Sequence, residues 1–249
     1  MAAGAAPATT GTGVSTQRIY LHDDQCVITT ATVQAVMDGA FAVDQSPFFV
    51  GGGGQPCDIG TVDGVAISSV SVDADDWVWH QSVALVAVGQ QVELQVDAPR
   101  RAILSRYHTA LHVLNTLAMT HYQAWITGAQ MTTDYARIDF AMPWLDPVVL
   151  ADLEQRMNET LAANHAVRAY TMPPEAFAQR PDLIRTLNVK PPVYQGVVRI
   201  VEIVGFDGQA CGGTHVRQTC EVGACTIFKS ENKGKQNKRL YVRFAMAHD

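Results

Sequence analysis

From Arg100 to Gln123, apolar or ligand-capable side chains recur at Leu104, His108, Leu111, His112, Asn115 and Met119. Spacings of three and four put these residues along one side of a single helix. The text before it has a different period. From Gln17 to Asp97, β-branched residues alternate with polar ones, as in Cys26-Val-Ile-Thr-Thr-Ala-Thr-Val-Gln-Ala-Val and Val65-Ala-Ile-Ser-Ser-Val-Ser-Val, which predicts strands. Asp38-Gly39 and Asp63-Gly64 are hairpin turns in this reading. With further strands at about 83–88 and 91–97, residues 17–97 form an antiparallel β-barrel-like domain. Asp97-Ala98-Pro99 ends the strand text and admits the helix.

Beyond the helix the periods mix. Tyr135 to Phe140 is a strand, and Asp146-Pro147 are the N-cap and first position of a second helix running to about Asn164. Val167 to Thr171 is a strand, 173–192 a proline-punctuated excursion with one helical turn, and 197–204 a buried strand. Ala224 to Lys229 and Leu240 to Phe244 are strands joined by a basic turn. The expected fold class is α+β, with residues 98–249 forming a domain in which helices lie against an antiparallel sheet.

Composition narrows the function. In 249 residues no apolar run reaches the eighteen or so that a membrane span needs, so no membrane partner is expected. Residues 1–16 lack the basic start and long apolar stretch of a secretory signal and are read as a disordered leader, which makes the cytoplasm the expected location. The five cysteines are odd in number and scattered, unlike a disulfide framework. Charge is uneven along the chain. Up to Asp97 a single cation, Arg18, stands against eleven carboxylates; from Ala98 on, seventeen cations face thirteen carboxylates. The second half is therefore the one expected to meet an anionic partner.

Two pairs of residues carry the candidate chemistry. His108 and His112 lie one helical turn apart and can grip one metal ion, though two hydrogen-bonded helix histidines would show the same spacing. Cys211-Gly-Gly-Thr-His215 puts a thiolate and an imidazole four residues apart on a flexible turn and completes a Cys-His₃ donor set for Zn²⁺. The metalloprotease reading of His-x-x-x-His needs a glutamate after the first histidine; Thr109 stands there, so the general base is missing. Gly51-Gly-Gly-Gly-Gln55-Pro56 has no Lys-Ser/Thr, and Pro56 replaces the last glycine of a dinucleotide fingerprint, so no nucleotide cofactor is expected.

Read in order, Asp44-x-Ser46-x-Phe48-Phe49-x-x-x-Gly53-Gly54-Gln55-x-x-Asp58-x-Gly60, Arg100-Arg101, His108-Thr-Ala-Leu-His112, Cys211-Gly-Gly-Thr-His215 and Glu221-Val-Gly223 resemble the editing domain of alanyl-tRNA synthetases, and most of all the free-standing alanyl-tRNA editing proteins of the AlaX type. Ser46, Phe49, Val50, Leu111 and Cys220 depart from the family's usual residues; a glycine in place of Cys220 could have had positive φ, which is costly for cysteine. The resemblance implies a trans-editing hydrolase that deacylates mischarged tRNA(Ala) with zinc, most of all seryl-tRNA(Ala), with glycyl-tRNA(Ala) as the other candidate substrate. It implies metal ligation by His108, His112, Cys211 and His215. Thr109 is the candidate for bonding the serine hydroxyl, and Gly53, Gly54, Gln55 and Asp58 for substrate contact. Arg100, Arg101, Lys229, Lys233, Lys235, Lys238 and Arg239 are the candidates for tRNA. Four protein ligands fill a tetrahedron, so a fifth ligand, a displaced donor or a purely positioning metal all remain open. The alternative is a non-catalytic, zinc-containing tRNA-binding or regulatory module.

Overall fold

The computed structural model describes residues 15–185, 193–194 and 196–245; the leader read at the N-terminus and the later part of the proline-punctuated excursion lie largely outside them. The chain divides into two compact units, one of residues 1–51 and 56–101, the other of 52–55 and 102–249. The four residues Gly52–Gln55 thus belong with the second unit.

The first unit holds β1 (Gln17–Arg18), β2 (Ile28–Met37), β3 (Ala40–Val43), β4 (Gln45–Ser46), β5 (Gly60–Val62), β6 (Val65–Val72), β7 (Val78–Ser82) and β8 (Gln91–Val96). Six of them close into a barrel in the order β2-β3-β7-β6-β5-β8, every pairing antiparallel. Closure leaves no free edge. The period-two pattern explains the filling: in β8 Val92, Leu94 and Val96 point in, and with Val33, Phe41 and Ile67 they form the interior. Asp63 (φ 46°) and Gly64 (φ 82°) give the β5–β6 turn two positive φ values, the twist that joins right-handed strands over two residues.

The strand expected at 83–88 is absent. Leu85 is 99% exposed, and local side chains hold the loop instead, Ser82 Oγ accepting from the Ala84 N–H (3.1 Å) and Gln90 from that of Ala87 (3.1 Å). Such bonds compete with a ladder.

The second unit is α+β. Helix α1 (Ala98–Tyr122) starts in the first unit's sequence and runs on, followed by β9 (Trp125–Met131), β10 (Ala136–Ala141), α2 (Pro147–Ala162), β11 (Val167–Met172), α3 (Pro174–Phe177), β12 (Val198–Ile203), β13 (Asp207–Ala210), β14 (Cys225–Asn232) and β15 (Asn237–Phe244). Two antiparallel sheets result, β14-β15-β10-β9 and β11-β12-β13. Asp146 caps α2 by accepting from the Val149 N–H (2.9 Å), with Pro147 in the first turn. Val149, Leu153, Met157 and Leu161, at fourfold spacing, meet Leu111 and Leu114 of α1 and Ile138, Phe140 and Leu240 of the sheet. From Tyr107 to Ala118 every residue of α1 is buried. It is a central helix rather than a half-exposed one, which is why it alternates apolar and polar residues without a charged face. No helix among the described residues is long and apolar enough to cross a membrane.

Candidate metal centre

Helix periodicity brings His108 and His112 to one side of α1, and the antiparallel turn after β13 returns Cys211 and His215 to the same place. One ligand atom from each of the four lies within 4.8 Å of all the others. The ring centres stand 4.9 Å (His108–His112), 4.3 Å (His108–His215) and 4.5 Å (His112–His215) apart. Cys211 Sγ is 3.4 Å from His108 Nε2 and 3.5 Å from His215 Nε2.

Hydrogen bonds outside this cluster set which nitrogen faces inward. Gln55 Nε2 donates to Thr214 Oγ1 (2.9 Å), leaving Gln55 Oε1 to accept from His108 Nδ1 (2.8 Å) and from the Thr214 N–H (3.2 Å). Thr109 Oγ1 donates to the Ser105 carbonyl (3.0 Å), so towards His215 Nδ1 (3.1 Å) it is an acceptor. Both Nδ1 atoms carry the proton, and both Nε2 lone pairs point at the sulfur. Burial pushes the His108 pKa down to about 3, with the charge of Arg199 adding to it, and burial first, then neighbouring charges, hold His112 and His215 well below the usual histidine value.

A metal fits this arrangement. The single S–H proton of Cys211 can serve only one of the two imidazole lone pairs that face it at 3.4–3.5 Å, whereas a cation between them would serve both nitrogens and the thiolate together. Donors bound tetrahedrally to zinc at roughly 2.0 Å (nitrogen) and 2.3 Å (sulfur) lie about 3.5 Å apart, the separation found. His112 adds a buried Nδ1 with no hydrogen-bond partner.

The Gly-Gly turn is needed for close approach. A Cβ on Gly213 would collide with the His108 ring and Gln55 Oε1, and one on Gly54 would strike the Ala129 carbonyl of β9, whose neighbour Met131 donates its N–H to the Gly54 carbonyl (2.8 Å). Nothing lies near a Cβ on Gly53, so in the Gly53-Gly54 pair the steric demand falls on Gly54.

Several predicted roles change. Thr109 is fully buried and its hydroxyl is spent: it donates to Ser105 and accepts from His215 and from the Val216 N–H (3.3 Å), leaving no capacity for a substrate hydroxyl. Asp58 and Arg101 are buried within the first unit. Asp58 accepts from the Phe49 N–H (2.6 Å) and pairs with Arg101, which also donates to the carbonyls of Pro47 (2.6 Å) and Cys26 (2.9 Å). They lock the loop around Phe48-Phe49, and Arg101 offers nothing to a phosphate. Arg100 donates to the Cys57 carbonyl (2.8 Å).

The basic turn also divides. Lys238 is buried, its ammonium on the Gly234 (2.9 Å) and Lys235 (3.4 Å) carbonyls, and Arg239 clasps Asp139 through two bonds (2.7 and 2.8 Å). Lys229 is exposed but pairs with Glu231 (2.6 Å). Lys233 and Lys235 are exposed on the short loop between β14 and β15. Cys220 lies in a 3₁₀ turn and is not among the residues with positive φ, so its departure from glycine carries no strain.

Arg199 was not anticipated. Buried on β12, it donates to the carbonyls of Cys211 (3.1 Å) and Gly213 (2.7 Å) while its own carbonyl accepts from the Cys211 N–H (3.0 Å). An arginine inside the apolar run Val198–Ile203 was the available signal, since a buried charge must be satisfied by something.

Residues 198–241 match the family model described as the threonyl and alanyl tRNA synthetase second additional domain. Over 239 residues the chain is 32% identical to the alanyl-tRNA editing protein AlaX-M of Methanosarcina mazei, covering 91% of this chain and 95% of that one. It is 30% identical to the protein of the same name from Saccharolobus solfataricus, covering 91% and 98%. The alanine–tRNA ligase of Korarchaeum cryptofilum is 32% identical over 228 residues, which are 86% of this chain and 25% of the ligase.

Proposed function

The chain belongs to the family of alanyl-tRNA editing proteins, and on that premise we propose that it is a hydrolase acting in trans on mischarged tRNA(Ala), cleaving the ester that joins serine to the terminal ribose. The observation that carries this reading is the convergence of His108, His112, Cys211 and His215 on one point. Zinc bound by these four residues would supply Lewis acidity at the aminoacyl end, polarising the ester or the water that attacks it.

The protein's own contribution is positional. Gln55 and Thr109 keep protons on the outer nitrogens of His108 and His215, and Arg199 fixes the carbonyls of the Cys211-Gly-Gly turn. The histidines are buried whereas Cys211 is half-buried, so the aminoacyl end approaches from the sulfur side. The need for such a site is physical: a synthetase pocket shaped for alanine cannot strongly reject a side chain that merely adds a hydroxyl, nor smaller glycine. A cytoplasmic protein would meet this substrate where tRNA is charged.

The test is a deacylation panel with purified protein on seryl-, glycyl- and alanyl-tRNA(Ala). Seryl-tRNA should be hydrolysed at least tenfold faster than alanyl-tRNA, and the rate should be lost in Cys211→Ala. Tight tRNA binding with no hydrolysis of any ester would instead make the chain a tRNA-binding module.

A further inference from the structure

Strand alternation gives the sheet β14-β15-β10-β9 two unlike faces. Ile138, Phe140, Leu240 and Val242 point into the core with the helices. On the opposite face the register sets Arg137 against Tyr241 and Tyr241 against Lys229, then Asp139 against Arg239 and Arg239 against Glu231. A bulge between Ile227 and Lys229 puts one extra residue into β14. That residue is Phe228, 39% exposed, and it joins Tyr241 (ring centres 6.0 Å apart) and Tyr135 (6.4 Å) on the outer face. A bulge that re-aims an aromatic ring into solvent sacrifices ladder bonds and apolar burial together, which points to use of the surface.

Charge says what the surface suits. Lys229 Nζ lies 4.9 Å from the centre of the Tyr241 ring and the Arg243 guanidinium 4.9 Å from that of Phe228. On this face Arg137, Lys229, Arg239 and Arg243 outnumber Asp139 and Glu231, in a chain whose net charge is −6. Asp139 is already held by Arg239. Exposed Lys233 and Lys235 continue the row at the loop. Aromatic rings that offer a face to a base, ringed by long cations able to swing onto phosphates, make a surface for RNA.

We propose that this outer sheet face is a nucleotide platform, with an unpaired base stacking on Phe228 and Tyr241 while Arg243 meets the backbone. The proposal rests on the reading of the chain as a tRNA-directed hydrolase and adds a second point of contact, on the far side of the sheet from α1 and its metal ligands. The test measures direct binding of uncharged tRNA(Ala) at several salt concentrations by Phe228→Ala/Arg243→Glu, whose two side chains are exposed. Metal content checks that the variant folds. Affinity should fall at least tenfold and the log–log salt slope by about 0.7 or more, the share of one lost phosphate contact. Wild-type affinity and slope in the folded variant would overturn the proposal, even if seryl-tRNA is hydrolysed normally. A change confined to self-association of the protein, with tRNA binding unmoved, would overturn it equally, assigning the face to a protein contact. A wild-type chain that binds tRNA through this face but hydrolyses nothing would refute the hydrolase reading and leave the platform standing.

Discussion

The proton on His108 Nδ1 is placed by one amide oxygen, Gln55 Oε1 at 2.8 Å, and outer partners of this kind are worth about 10- to 100-fold in metal affinity. Gln55→Ala should therefore weaken zinc binding by that factor in a chelator competition, and Gln55→Glu, which keeps an acceptor, by less; equal affinities in all three proteins would refute the role. Thr109→Val should weaken it similarly through His215, without altering the ratio of rates on seryl- and alanyl-tRNA. Gly213→Ala forces a methyl into the His108 ring, and metal content near one per chain in that variant would show the close approach to be unnecessary. The convergence of His108, His112, Cys211 and His215 was legible because each pair is local in sequence and its spacing is a property of one helix or one turn. Thr109 was read towards substrate because it follows His108 in sequence; the partner its hydroxyl takes, the Ser105 carbonyl four residues back, is set by the helix. Arg199 and Thr214 act across long stretches of chain, and only the fold selects such partners.

At the level of elements, most periodic segments were read to within a residue or two, while β14 and β15 each run three residues further into their turn than expected. The Asp146 cap and Pro147 start of α2 follow from local chemistry, and Asp146→Ala should cost about 1 kcal/mol in denaturant unfolding; no change would mean the cap bond (2.9 Å) carries no weight. β9 was missed because Trp125–Met131 contains Gly128 and no clean alternation, its strand character coming from pairing with β10. The apolar run 83–88 erred the other way, since composition alone cannot supply a partner strand. In the β14–β15 hairpin, Lys238 was grouped with Lys233 and Lys235 on charge. Its buried ammonium instead staples the loop, so Lys238→Ala should destabilise the unit by roughly 1–3 kcal/mol, while Lys233→Ala and Lys235→Ala leave unfolding midpoints within experimental error.

For the whole molecule, charge and period change near residue 97 and the two compact units divide after residue 101; the placing of Gly52–Gln55 with the second unit has no local signal, because it depends on β9 and His108. All four residues that could hold a metal lie in the second unit. Chelation should accordingly speed hydrogen exchange in α1 and the Cys211 loop, leaving the barrel strands unchanged. The barrel has its own acid sensitivity. Burial pushes His80 down to about 4, below an unfolded value near 6.5. Between those values the unfolded chain binds the extra proton, so the contribution of His80 is whole above about pH 6.5 and is lost as pH falls towards 4, up to roughly 3 kcal/mol. His80→Phe should flatten the pH dependence of unfolding over that window. The measurement that bears most directly on the central claim is the initial rate of ester hydrolysis on seryl-tRNA(Ala) against alanyl-tRNA(Ala) by the purified, metal-replete protein. Rapid release of serine, at least tenfold slower release of alanine and neither in Cys211→Ala are expected; hydrolysis of seryl-tRNA no faster than in buffer would contradict the hydrolase reading.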